Sequence, residues 1–197
     1  MRLLDAAETI MLNEGYASIS SRRVSGAIGV TPAVVHYYFP TTDDLFAALY
    51  KRASERYLAQ LLGAINGKDP LREIWEINLN SIPSSLATEF MALANHRKSM
   101  RAELANGLKY ARLMQTQALA DVMANVKANS GFDQMPCSPL GIAVLITAAG
   151  RSLALEANVG ISFGHQEAKA VVEWLLAKLC PQFGAPSGDV PTEERVR

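Results

Sequence analysis

The chain has 197 residues, of which 19 are Lys or Arg and 19 are Asp or Glu, so its formal net charge is zero. Apolar residues make up 49% and charged residues 19%, which excludes a disordered chain and allows a substantial buried core. Two cysteines exclude a disulfide framework, and no apolar run reaches the roughly 18 residues of a membrane helix. We therefore expect a cytoplasmic protein without a membrane partner, whose affinity for nucleic acid would depend on local residues.

The spacing of apolar residues predicts helices and no strand, an all-α fold of nine helices. The first four are expected over residues 2–13, from 20 to just before Gly29, over 32–38, and from 41 or 42 to about 66. The fifth should begin at Asp69-Pro70 and the sixth at 83–85. The last three are expected over 97–128, 139–158 and 165–180, with a loop at 131–138 and a frayed tail at 181–197.

Local signals mark the helix ends in the first fifty residues. Ser20 and Thr31 are the expected N-caps of the second and third helices, and Pro32 suits the first position of a helix because it lacks an N–H. Gly29 is expected to end the second helix. These signals place two short helices around the turn Gly29-Val30-Thr31.

That arrangement has the spacing of a helix-turn-helix, in which the second helix enters the major groove of DNA. Val24, Ile28, Val30 and Val35 are predicted to face inward and to pack the two helices together. Any helical hairpin can have this spacing, so the spacing alone does not assign a function.

A wider set of residues is more specific. The segments are Leu3-Leu4-Asp5-Ala6-Ala7, Gly15-Tyr16, Val24, Gly29-Val30-Thr31, Tyr38-Phe39-Pro40 and Leu45-Phe46. Together they resemble the N-terminal domain of the TetR (tetracycline repressor) family of transcriptional regulators. The resemblance implies a ligand-responsive, DNA-binding homodimer with a helix-turn-helix domain at 1–46 and an effector-binding and dimerisation domain at 47–180. The flexible tail expected at 181–197 follows from its three prolines, two glycines and few apolar residues.

The start of the second helix offers phosphate ligands. Ser20, Ser21, Arg22 and Arg23 combine hydroxyl and guanidinium groups with the positive end of a helix. The resemblance gives Arg22 a contact to phosphate or to a base edge, although an exposed arginine can also simply be solvated. Thr31 is expected to cap its helix and to bind a phosphate.

The predicted recognition helix is unusually apolar. Pro32, Ala33 and Val34 can touch thymine methyl groups but cannot form bidentate contacts with bases. His36 and Tyr37 are the candidates for contact with bases or phosphates.

Three features depart from the family pattern. His36 stands where the family usually has tyrosine, Thr42 stands where it usually has a phosphate-binding lysine, and no basic arm precedes the first helix. Tyr38, by contrast, matches a family aromatic that packs and contacts the DNA backbone, whereas Phe39 is expected in the core. Residues 1–50 hold three cations and five anions, a net charge of −2, so non-specific affinity for DNA should be weak and its salt dependence shallow.

The C-terminal part is expected to bind a small apolar effector. Asn78 interrupts an apolar face of the fifth helix, and a buried amide must find a hydrogen-bond partner in a ligand or in a neighbouring helix. The other candidates are aromatic, sulfur-containing or polar residues near apolar runs, which could equally be plain core. The predicted ligand-binding residues are Trp75, Asn78, Leu79, Ile82, Phe90, Met91, Tyr110, Met114, Thr147 and Arg151.

The resemblance assigns the last two helices to a four-helix dimer interface. Leu140, Val144, Leu145 and Ala148 share one helical face, and the small residues 148–150 would permit close helix approach. We expect no catalytic residues, no metal site and no cofactor, because the three histidines are scattered and no phosphate-binding loop occurs. The alternative to a DNA-binding regulator is a helical protein-interaction or ligand-binding module whose helix-turn-helix does not bind DNA.

Overall fold

The computed structural model describes residues 2–130 and 137–179, and within these residues every regular element is a helix. The all-α prediction is confirmed. A short 3-10 helix, Tyr16–Ser18, follows the first α-helix. The α-helices are α1 Arg2–Glu14, α2 Ser21–Ile28, α3 Pro32–Tyr38, α4 Thr42–Ile65, α5 Pro70–Leu79, α6 Ser81–His96, α7 Lys98–Ser130, α8 Pro139–Asn158 and α9 His165–Leu179.

The predicted caps around the short helices are largely confirmed. The Ser20 hydroxyl accepts a hydrogen bond from the backbone N–H of Arg23 at 3.1 Å. Gly29 ends α2 with φ at 70°, a left-handed conformation that glycine adopts without steric cost. At the start of α4, Thr41 and Asp44 form a reciprocal capping box, so Thr41 rather than Thr42 is the cap.

The predicted start of the sixth helix is wrong by two residues or more. Helix α6 begins at Ser81 rather than at 83–85, which places Pro83 at its third position. Proline is tolerated there because the first four N–H groups of a helix have no partner within the helix. Most of the predicted loop at 131–138, residue 180 and the predicted tail at 181–197 lie outside the described residues.

Three apolar clusters hold the helices together. The first joins α1, α2, α3 and the start of α4 to α6 and the start of α7, with Val24, Val35 and Phe46 almost fully buried. The second packs α8 and α9 against α5 and α7, and the third lies between α4, α5 and α7. Because α6 contributes Leu86, Phe90 and Leu93 to the first cluster, the N-terminal helices share their core with the rest of the chain.

Helix α8 approaches the end of α5 unusually closely at Gly150. A Cβ atom at this position would lie 2.8 Å from the Cβ of Asn78 and 3.0 Å from its carbonyl carbon. The small residues 148–150 were predicted to permit close helix approach; Gly150 does so within its own chain, where it is buried, whereas Ala148 is exposed.

Replacement of Gly150 by Ala is expected to destabilise the protein. The new methyl group meets backbone atoms that cannot rotate away, and overpacking of this kind costs about 1–3 kcal/mol, more than the roughly 1 kcal/mol that Ala gains over Gly in a helix. Urea denaturation would measure the loss. Gly63→Ala is the matched control, because nothing lies within 4 Å of its Cβ, and it should leave the free energy of unfolding unchanged or raise it.

Helix α8 is long and apolar enough to cross a membrane by length and composition alone, with a mean hydropathy of 1.5 over an 18-residue window. That differs from the expectation that no run would qualify, since the window tolerates Thr147 and Arg151. The helix nevertheless contacts α5, α6 and α7, and Ile142 and Ile146 are buried in the second cluster. A third of this apolar window is buried inside the chain.

Candidate DNA-binding surface and effector cavity

Helix α3 lies on the surface and is held there by one buried side chain. Val35 is 1% exposed and packs into the first cluster, whereas Tyr37 is 81% and Tyr38 is 63% exposed. The two tyrosine rings meet edge to face, with centroids 5.1 Å apart. The helix therefore presents a rigid aromatic tip that no described part of the chain covers.

The predicted DNA-binding residues lie on α2 with its N-cap Ser20, on α3 and in the turn between them, except Thr42, which is the first residue of α4. One expectation is wrong: the Thr31 side chain makes no capping hydrogen bond, although Thr31 is the N-cap residue of α3. Phe39 is half-buried and packs against the first cluster, as expected. The exposed residues of the set are Ser20, Arg22, Arg23, Thr31, Pro32, Ala33, Val34, His36, Tyr37 and Tyr38, and the half-buried ones are Ser21 and Thr42.

The two arginines of α2 differ in their surroundings. Arg23 pairs with Glu14 of α1, its Nε donating to Oε2 at 3.1 Å. This hydrogen bond, together with the positive charge, lowers the pKa of Glu14. Arg22 makes no ion pair with any residue that the structure describes, so its guanidinium group is available to a phosphate.

Two of the three acidic residues of α1, Asp5 and Glu8, are neutralised by arginines that lie beyond residue 50. Arg52 contacts both Asp5 and Glu8 at 2.5 Å, and Arg56 contacts Glu8 at 2.6 Å. The net charge of −2 counted over residues 1–50 therefore overstates the negative charge near α2 and α3. The stronger reason to expect a shallow salt dependence of DNA binding is that few cations are unpaired, not that acidic residues repel the DNA.

The N-terminal helices are joined to α6 by polar and aromatic contacts. The backbone N–H of Tyr16 donates to Oε2 of Glu89 at 2.7 Å, and the Tyr16 ring stacks on His96 at 6.1 Å. Asp43 at the start of α4 pairs with Arg97 just after α6. The position of α6 therefore affects the position of the helix-turn-helix.

A cavity of about 280 Å³ lies on the other side of α6, between that helix, α4 and α7. Leu86 and Phe90 of α6 and Leu104 and Leu108 of α7 form apolar walls. Polar or charged side chains come from α1, α4, α5, α6 and α8, and from Asn80 between α5 and α6. The polar or charged lining residues are Glu8, Tyr50, Ser54, Arg56, Tyr57, Gln60, Asn78, Asn80, Ser84 and Arg151.

Three of the ten predicted ligand-binding residues line this cavity: Asn78, Phe90 and Arg151. The side chain of Ile82 lies outside the described residues. The others are not part of its lining. Trp75 and Leu79 pack in the second cluster, Met114 in the third, Thr147 is buried beside Gln115, and Met91 and Tyr110 are exposed.

The sequence reasoning missed the contribution of α4. Tyr50, Ala53, Ser54 and Tyr57 recur at spacings of three and four, so they share one helical face, and that face lines the cavity. This periodicity was the available signal. Close packing shapes the wall as well, because a Cβ at Gly107 would lie 2.1 Å from the hydroxyl of Tyr50.

Comparison with known proteins was made for both the sequence and the fold. Residues 3–49 match the family model described as bacterial regulatory proteins, tetR family, and no curated protein matches the sequence. A TetR-family transcriptional regulator structure from a Rhodococcus species superposes with a TM-score of 0.70 at 19% identity, covering 90% of this chain and 96% of that one. A TetR transcription regulator from Haloarcula marismortui superposes with a TM-score of 0.69 at 18% identity, covering 90% of this chain and 95% of that one. Salmonella enterica GusR superposes with a TM-score of 0.68 at 18% identity, covering 92% of this chain and 94% of that one.

The chain is TetR-like in both sequence and fold. The family model covers the helix-turn-helix and the first turns of α4, and the structural similarity extends the shared fold over about nine-tenths of the chain. The TetR resemblance drawn from the N-terminal residues is confirmed.

The last two helices of this TetR-like chain expose apolar side chains. Leu140 (50%), Val144 (42%) and Leu145 (65%) protrude from α8, and Val171 (65%) and Trp174 (60%) protrude from α9. The opposite faces of both helices are buried in the second cluster. An apolar surface of this kind is typical of a contact with another protein chain.

The described residues contain no group of three His, Cys, Asp or Glu side chains that could hold a metal ion. The three histidines lie on different helices: His36 is exposed on α3, His96 ends α6, and His165 begins α9 beside Glu156, with Nε2 and Oε2 2.9 Å apart.

Proposed function

We propose that this TetR-like protein is a homodimeric transcriptional repressor that acts in the cytoplasm and releases its operator when a small molecule binds in the cavity. The observation that carries the proposal is the exposed helix α3, on which Tyr37 is 81% and Tyr38 is 63% exposed. These two neighbouring aromatic side chains, which no described part of the chain covers, form a surface suited to contact with a partner, and Arg22 on the preceding helix forms no ion pair with any described residue.

The two ends of the helix-turn-helix have different roles in this proposal. Ser20, Ser21 and Arg22 bind phosphates and set the register of the protein on the duplex, whereas Tyr37 and His36 reach base edges in the major groove. The apolar start of α3 contacts thymine methyl groups. Arg23 contributes less, because it is already paired with Glu14.

The proposed dimer is formed by the exposed faces of α8 and α9. A two-fold axis would place the same five apolar side chains of each subunit against each other. Two α3 helices could then enter successive major grooves about 34–36 Å apart. The operator is therefore expected to be a near-palindrome.

Effector binding would act on DNA affinity through α6 and α4. Leu86 and Phe90 of α6 face the cavity, while Glu89 on the same helix holds the backbone of Tyr16. A ligand that shifts α6 would move the helix-turn-helix and change the distance between the two recognition helices. A coupling free energy of about 1–3 kcal/mol changes operator affinity about 5- to 150-fold.

The test is an unbiased selection of duplex DNA from a random library by the purified protein. The expected result is enrichment of a near-palindromic sequence whose half-sites lie about one helical turn apart, followed by saturable binding of that duplex in a gel shift. Failure to enrich any sequence would contradict the DNA-binding part of the proposal and favour a helical interaction or ligand-binding module.

A further inference from the structure

The cavity lining holds a guanidinium group that no described carboxylate neutralises. Arg151 lines the cavity from α8, and it forms no ion pair with any described residue. Its guanidinium group contacts sulfur instead: Nη1 lies 3.4 Å from Sδ of Met91. The other arginine of the lining, Arg56, is paired with Glu8 at 2.6 Å. The lining therefore carries one uncompensated positive charge.

A hydroxyl donor lines the same cavity as this charge. Gln115 accepts a hydrogen bond from the Thr147 hydroxyl through its Oε1 at 3.2 Å, which directs its amide nitrogen to the Tyr57 hydroxyl oxygen at 3.1 Å. Because the Tyr57 oxygen already accepts a hydrogen bond, its own O–H remains to donate, and Tyr57 lines the cavity.

The ionisation of both groups is consistent with an anion site. Burial raises the pKa of Tyr57, so the phenol stays protonated and can donate. Burial also lowers the pKa of Arg151, which reflects the cost of removing its charge from water without a counter-ion. A bound anion would offset that cost.

The rest of the cavity limits the size and polarity of the ligand. Leu86, Phe90, Leu104 and Leu108 offer an apolar surface. The volume of about 280 Å³ equals that of about nine water molecules in the liquid, which suits a ligand of about ten non-hydrogen atoms. A dianion would leave a second charge buried without a partner, which is costly.

We propose that the cavity binds a small amphipathic organic acid, with its carboxylate on Arg151 and the Tyr57 hydroxyl and its apolar body against Leu86 and Phe90. This inference rests on the proposed function in one respect, that the cavity is the effector site. A carboxylate accepts hydrogen bonds from both donors and neutralises the guanidinium charge. An alcohol of equal length accepts the hydrogen bonds but leaves the charge unneutralised, and a protonated amine is repelled by it.

Calorimetric titration of the purified full chain with hexanoate, octanoate and decanoate, each beside the alcohol and the amine of equal length, tests the inference. At least one acid should bind about tenfold or more tightly than its alcohol, and the amines should not bind. Arg151→Met should weaken acid binding by about 10- to 100-fold, since a hydrogen bond to a charged group is lost, and should leave alcohol binding within a few-fold. Tyr57→Phe should weaken acid binding less than Arg151→Met does. Lys109→Gln, which removes an exposed charge of α7 outside the cavity lining, should leave the binding of all probes unchanged.

Each outcome is decisive. Equal binding of acids and alcohols by the unmodified protein overturns the carboxylate assignment while leaving the cavity as an apolar effector site, and this comparison stands even where Arg151→Met fails to fold. Binding of none of the probes overturns the inference as well. The selection of operator DNA is carried out without any ligand. Failure to enrich a DNA sequence would therefore contradict the proposed function, whatever the titrations with the acids and alcohols show.

Discussion

Replacement of Tyr37 by Ala is expected to weaken operator binding by about 30-fold to 25,000-fold without unfolding the protein. The estimate follows from a loss of about 1–3 kcal/mol at each half-site, the usual cost of one lost base-pair recognition, and from the presence of two half-sites per dimer. Tyr37 is 81% exposed, so its removal takes little from the core. Its ring leans on Tyr38 alone among the described aromatic residues.

Fluorescence anisotropy with the selected operator would measure this loss, and thermal unfolding would check stability. Tyr110→Ala is the matched control, because Tyr110 is also exposed (57%) but lies on α7, away from the helix-turn-helix. We expect its operator affinity to match that of the unmodified protein. Unchanged binding by the Tyr37 variant would remove Tyr37 from the interface, whereas an equal loss in both variants would show that the effect is not local.

The fold was largely predictable because local signals and tertiary packing agree in this chain. Ser20, Gly29 and Pro32 mark the ends of α2 and α3, and the structure has those ends. The start of α6 was mispredicted because Pro83 is a strong local signal for a helix start, yet proline is also compatible with the third position. Pro83 is therefore compatible both with a helix that begins at Pro83 and with one that begins at Ser81, and the local sequence does not distinguish them.

The cavity was less predictable than the helices because it is formed between helices that are distant in sequence. Asn78 and Arg151 could be recognised as polar residues near apolar runs, and both line the cavity. Trp75 and Met114 have the same sequence pattern but are directed into apolar clusters. The rotation of each helix about its axis decides between these two outcomes, and that rotation is set by packing across the whole domain.

The charge near the helix-turn-helix was also difficult to predict from the sequence, because it depends on partners distant in the chain. A count over residues 1–50 includes Glu8 but excludes Arg52 and Arg56, the two residues that neutralise it. Since α4 returns along α1, ion pairs link residues more than forty positions apart. A segment's net charge therefore says little about the charge at its surface until the partners are known.

Replacement of Leu145 by Asp is expected to convert the proposed dimer to a monomer, with a dimer dissociation constant raised by about a thousandfold or more. Leu145 is 65% exposed in the single chain and lies among the apolar side chains that protrude from α8. In a two-fold interface the substitution occurs twice, so two carboxylates would be buried without partners, each at a cost of several kcal/mol. Sedimentation velocity would measure the change, and Leu62→Asp is the control because Leu62 is similarly exposed (52%) on α4.

Trp174 supplies a second, independent readout of the same dissociation. It is 60% exposed in the single chain, whereas Trp75, the other tryptophan, is 1% exposed. A dimer that uses α9 would bury Trp174, so the Leu145 variant should show red-shifted tryptophan emission while Trp75 remains protected. Operator affinity should fall with the loss of the dimer, because a monomer contacts one half-site. A Leu145 variant that stays dimeric with unchanged emission would place the subunit contact on a surface other than α8 and α9.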